Sequence, residues 1–143
     1  MRKFSIAHWD SVKGSNMFLE AFENSSDEFK ASISDIYFGH HFEGMGNVMN
    51  LDADDQAIDN LFYIQDKYGI PISLTLNDTI PSKEFILSDK KEFFKYIKGF
   101  YDRGLRICTI GDTHMINDGI IQKLFPEMRW TNTVNNIVRD AQG

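Results

Sequence analysis

Cysteine is almost missing from this chain, and so are arginine over most of its length, runs of basic residues and long apolar stretches. The single cysteine, Cys108, excludes an internal disulfide. Alone it cannot hold a zinc ion or an iron–sulfur cluster, each of which needs several protein ligands. No arginine occurs between Arg2 and Arg103, and 15 basic residues face 21 acidic ones for a net charge of −6. That balance disfavours nonspecific nucleic-acid binding, in which a basic face supplies most of the affinity. No apolar run approaches the roughly 20 residues that span a bilayer. Met1-Arg2-Lys3 leads into a short run broken by His8 and Asp10 rather than into a signal-type apolar region, so the expected compartment is the cytoplasm. A nucleophile-elbow serine and a protease-type cysteine are also lacking.

The chain has 143 residues, the size of one domain, and its 42% hydrophobic content with twelve phenylalanines suffices for a packed core. Short apolar runs alternate with segments of helical period. Phe4 and Ile6 open a first strand, followed by a helix carrying Phe18, Leu19, Phe22 and Phe29. Ile33 to Phe38 form a second strand ended by Gly39. After a long glycine-bearing loop, Asp52 is the expected N-cap of a helix with Asp54 and Asp55 in its first turn, apolar positions Ala57, Ile58, Leu61, Phe62 and Ile64, and a stop at Gly69.

Ile72 to Leu76 read as a third strand, and the connection through Pro81 has room for one helical turn. Asp89 and Glu92 read as the cap of a helix through Tyr101, and Leu105 to Ile110 as a fourth strand. One helix bearing Ile116 to Phe125 is expected before Pro126, then a fifth strand from Met128 to Thr133. The fold class is therefore α/β, with alternating strand–helix units and a parallel sheet of about five strands. Such a sheet is either doubly wound or part of an eight-stranded (β/α) barrel.

Reactive side chains gather where the strands end. The exits read IAHWD (6–10), YFGHHFEGMGN (37–47), LTLND (74–78), TIGDTH (109–114) and WTNTVNN (130–136), and all four histidines lie in them. In both architectures that rim carries the active site. His8 and His114 are candidates for general acid or base, since imidazole titrates near neutrality, with Asp112 as a carboxylate partner. Adding His40 or His41, Asp10 and Glu43 gives enough donors for a divalent metal if the strands are neighbours. The spacing matches no compact metal signature, so no metal site is assigned. Cys108 lies inside an apolar strand and reads as a buried, inert thiol.

Taken in order, Ile36-Tyr37-Phe38-Gly39, Gly46-Asn47, Leu74-Thr75-Leu76-Asn77, Asp112, Phe125-Pro126-Glu127 and Trp130 to Asn136 resemble the N-terminal part of the collagenase-like peptidase family U thirty-two. The resemblance implies a partial TIM-type barrel and a substrate-binding rim that includes Gly39, Asn47, Asn77, Thr133 and Asn136. It implies an activity among proteolysis, RNA hydroxylation and quinone hydroxylation, on a peptide, RNA or small-molecule substrate. Several family members carry an iron–sulfur cluster on four cysteines downstream of the matched region, so here a cluster would require cysteines from outside the chain. Glu43-Gly44-Met45 stand where the family usually has an arginine before its Gly-Asn pair. A half-barrel exposes two strand edges, so a homo-oligomer or a partner half-barrel is expected. Two further readings stay open: a non-catalytic half-barrel that binds a ligand or partner, and a metal-dependent isomerase or hydrolase built on the histidine–carboxylate set.

Overall fold

The computed structural model describes residues 2–8, 11–42, 53–77, 82–111 and 113–132. Strand β1 (Phe4–Ala7) is followed by helices α1 (Val12–Glu23) and α2 (Asp27–Ser32), then β2 (Ile33–Gly39), α3 (Asp55–Tyr68) and β3 (Ile72–Leu76). Helices α4 (Lys83–Leu87) and α5 (Lys91–Asp102) lead to β4 (Ile107–Ile110), and α6 (Thr113–Asn117) and α7 (Ile120–Leu124) lead to β5 (Arg129–Asn132).

The order across the sheet is β1-β2-β3-β4-β5, and every neighbouring pair is parallel. A doubly wound sheet reverses its strand order at a switch point. Here the order never reverses, which is the winding of a partial (β/α) barrel.

Period-2 alternation separates two unlike faces. Ile36, Phe38, Ile72, Leu74, Leu76, Cys108 and Ile110 share one core with Ala57, Leu61 and Ile64 of α3 and Phe93, Ile97 and Phe100 of α5. The strand residues between them point the other way. In register, Tyr37 lies beside Ser73, Ser73 beside Ile107 and Ile107 beside Arg129, while Gly39, Thr75, Thr109 and Thr131 form the next row. Ile107 is buried yet lies outside the helix-side core, as expected for the opposite face. Parallel sheets are usually apolar on both faces. This one is uniformly apolar toward its helices and mixed on the other face, where Tyr37 and Ile107 stand among Ser73, Thr75, Thr109 and Arg129.

Several boundaries differ from the sequence expectation, each for a local reason. Phe29 does not extend α1. Ser26 starts a new helix, its Oγ accepting from Phe29 N at 3.1 Å, and Phe29 stays 44% exposed. The cap of α3 is Asp54 rather than Asp52, which lies outside the described residues, and Asp54 makes no side-chain bond to its own helix. Its Oδ2 instead accepts from Val12 N at 3.1 Å, satisfying the first N–H of α1, whose N-cap is Ser11.

At α5 the cap is Lys90, at φ 63°, and Asp89 accepts from Lys91 N. The Lys90 ammonium donates to the carbonyls of Phe85, Ile86 and Ser88, which offsets the strain of that left-handed backbone. Strand β4 begins at Ile107 rather than Leu105. The expected single helix before Pro126 is two short ones, broken at Gly119, whose φ of 70° suits glycine. Gly69, at φ 66°, closes α3 as expected.

Candidate functional site

Parallel strands end at a common rim, and this one gathers His8, Gly39, His40, Asn77 and Gly111. The backbone holds it together across neighbouring strands. His8 N donates to Tyr37 O at 2.9 Å, Gly111 N to Leu76 O at 2.8 Å, and Ala53 N to Gly39 O at 3.1 Å.

His8 is 9% exposed and faces α1, where its Nε2 lies 3.0 Å from Ser15 Oγ and its ring meets Phe18 edge-on at 5.1 Å. Asn60 of α3 donates from Nδ2 to Ser15 Oγ and to Asn16 Oδ1, both at 2.9 Å. With Asn60 filling an acceptor site on Ser15, the hydroxyl proton is available for His8 Nε2. Ser15 is fully buried and Asn60 is 7% exposed. In such a low-dielectric setting each broken partnership costs about 1–3 kcal/mol. The set ties β1, α1 and α3 into one unit and fixes the orientation of the imidazole.

His40 turns to the helix side, with Nδ1 2.7 Å from Tyr96 Oη, and packs edge-on to Phe100 at 5.4 Å. His41 is exposed, so successive residues diverge as strand geometry requires. Beneath His40 a shallow cavity of about 320 Å³ is lined by Asp55, Ile58, Tyr96, Gly99, Phe100 and Arg103. The Arg103 guanidinium there is already engaged, donating to Asp59 Oδ1 at 2.6 Å and stacking on Phe62 at 4.1 Å.

Gly39 ends β2 beside Thr75, and Asn77 follows β3 two residues later on the same face, half-buried. His114 is exposed on α6. Asp112, Asn47, Thr133 and Asn136, with Asp10 and Glu43, lie outside the described residues.

The structure brings Gly39 and Asn77 together at one stretch of rim but separates the histidines. β1 and β4 stand three strand spacings apart, about 14 Å along the sheet, too far for His8 and His114 to share an ion at bonding distance. Among the described residues no group of three His, Cys, Asp or Glu side chains could hold a metal. Cys108 is fully buried and burial pushes its thiol well above the usual range, so it suits neither nucleophilic attack nor iron ligation. An iron–sulfur cluster does not fit these residues, and no chemistry is routed through one.

Ser15, Asn60 and Tyr96 were not singled out by sequence reasoning. A signal existed for two of them. Asn60 sits between Ala57 and Ile64 on the apolar stripe of α3, and Ser15 stands three and seven residues before Phe18 and Phe22. A polar residue in the buried phase of a helix needs a partner, and here each partners the other.

No family model, curated protein or solved structure matches the chain. Fold and rim together define a singly wound α/β protein with its polar chemistry at the C-terminal ends of parallel strands. Among the described residues no helix is long and apolar enough to cross a membrane.

Proposed function

We propose that this chain is the N-terminal half of a (β/α) barrel enzyme of the collagenase-like peptidase type, binding a peptide across the C-terminal ends of its strands. The observation that carries this reading is the adjacency of Gly39 and Asn77. Two residues on which the family resemblance rests end neighbouring strands on the same sheet face. Gly39 has no side chain to obstruct a bound backbone, and the Asn77 amide offers both a donor and an acceptor to a peptide group. A net charge of −6 favours a peptide over RNA among the family's substrates. His8, the catalytic candidate of the sequence, has its ring held toward the helices by Ser15 and Asn60, on the far side of the sheet from Asn77.

The test is NMR titration with a glycine- and proline-rich collagen-type peptide, run beside a single-stranded RNA oligonucleotide. Amide shifts centred on Gly39, Asn77 and Gly111 with the peptide support the reading. Shifts confined to the helices, or a response to RNA alone, overturn it. Mass spectrometry of the recovered peptide then separates catalysis from binding. Cleavage that disappears in His8→Gln marks an enzyme, whereas intact peptide with rim shifts marks a non-catalytic binding half-barrel. That second reading is favoured by one observation, the engagement of His8 Nε2 with a fully buried serine.

A further inference from the structure

The sheet face turned away from the helices carries opposite charges near its two edges. Asp35, on β2 beside the edge strand β1, accepts from the Ser5 and Ser34 hydroxyls. Arg129, on the edge strand β5, stands in the row that runs through Ile107 and Ser73 to Tyr37. Both side chains fall on this face by strand parity, because Ile36 and Cys108, each one residue out of phase, belong to the helix-side core.

The two edges are alike in size, four residues each, and among the described residues each has a single strand neighbour. The backbone N–H of His8 points at β2, so parity turns the main-chain groups of Ser5 and Ala7 outward. Neither strand contains proline or lysine, the residues that commonly blunt an edge. Phe4 is 55% exposed and Tyr37 42% exposed.

We propose that a second copy of this chain completes the ring begun by this sheet, with β5 of one copy pairing in parallel with β1 of the other. Two such junctions, related by a two-fold axis, close two five-stranded sheets into one ring. Each junction sets Arg129 of one copy toward Ser5 and Asp35 of its mate. The parallel direction follows from the charge placement, since each edge meets the edge of opposite sign. A ten-stranded ring is wider than the eight-stranded barrel, whose interior is filled by bulky side chains. The small hydroxyl residues Thr75, Thr109 and Thr131 suit the wider, wetter interior.

This inference rests on the half-barrel reading above but not on its substrate. The test is sedimentation of the purified chain over a wide concentration range, together with air oxidation of an Ala7→Cys/Thr131→Cys variant. These two positions are brought level when Arg129 stands opposite Ser5. The expected species is a dimer, and Arg129→Asp and Asp35→Arg each weaken it by at least about tenfold in Kd. Combining both substitutions in one chain restores the opposite-sign junction and recovers association. The two-cysteine variant forms disulfide-linked dimers. Cys108 does not compete, being fully buried.

A monomer at every concentration, open filaments, or a dimer indifferent to both charge reversals and without the cross-link overturns the proposal. Circular dichroism identifies a variant that has failed to fold, and the cysteine pair then decides alone. A monomer that still shows peptide shifts at Gly39 and Asn77 removes the second copy and leaves the peptide-binding rim in place. A dimer without those shifts does the reverse.

Discussion

The two ends of the molecule satisfy their polar groups by opposite means. At the rim, neutral groups are buried and each bond joins different elements, as His8, Ser15 and Asn60 join β1, α1 and α3. At the base, charged groups stay near water and converge on one atom. Glu23 Oε1 accepts from Lys67 Nζ at 2.7 Å, Tyr68 Oη at 2.9 Å and Tyr63 Oη at 3.0 Å. The Lys67 ammonium also lies over the Tyr63 and Tyr68 rings, and Lys30 over Phe22 and Tyr68.

The hydrogen bonds from Lys67, Tyr68 and Tyr63 hold the Glu23 carboxyl down to about 2, and the same carboxylate pushes the Lys67 ammonium above its usual range. The base is therefore a fastening whose strength depends on pH and salt. The rim is held by geometry that solvent barely reaches. Exposed ion pairs contribute little, whereas a buried polar set fails if one member is lost.

Substitutions at the two ends make the contrast measurable. The largest effect is expected for Asn60→Leu, which removes the amide donor from buried Ser15 and from Asn16 and should cost about 1–3 kcal/mol in urea unfolding. A variant as stable as the parent would show that the rim set contributes no stability. Tyr96→Phe removes the hydroxyl bonded to His40 and should cost about 1 kcal/mol by the same measurement.

At the base, Glu23→Gln should change stability in a pH-dependent way. The folded carboxyl is depressed from its ordinary 4.5 to about 2, so its contribution is complete above pH 4.5 and fades as pH falls toward 2. Parent and variant melting curves should accordingly converge at the acid end, and a gap that stays constant across that window would refute the assignment. The smallest effect belongs to Lys98→Ala. The Lys98–Asp102 pair is exposed and places the lysine N-terminal to the acid, the less favourable orientation, so thermal unfolding should register under about 0.5 kcal/mol.

Most of the fold was legible because it rests on local period. Strand β3 falls on Ile72–Leu76 as its alternation predicts, and the stripe Ala57, Ile58, Leu61, Ile64 faces the core. The breaks at Ser26 and Gly119 were missed because both interrupt apolar spacing that reads as continuous. Asp54 shows a different obstacle. It is a standard capping residue at a helix start, but the N–H it accepts belongs to Val12, 42 residues earlier in the chain. No window of sequence displays such a bond. The same holds for the rim, where residue types were readable but not which histidine would be buried, or against what. Strand order decided that, and composition leaves strand order open.

That order also bears on how the chain assembles in time. Every strand pairs with the one made just before it, so partner residues are only about 22 to 36 positions apart at all four junctions. Loop-closure entropy grows as (3/2)RT ln n, so the four closures differ by only about 0.4 kcal/mol. No junction must wait for a distant one. Folding can then extend unit by unit behind the emerging chain, with low contact order and no late insertion of a central strand. The last edge formed, β5, is presented in the same chemical form as each edge before it, and the next strand of matching register can continue the sheet.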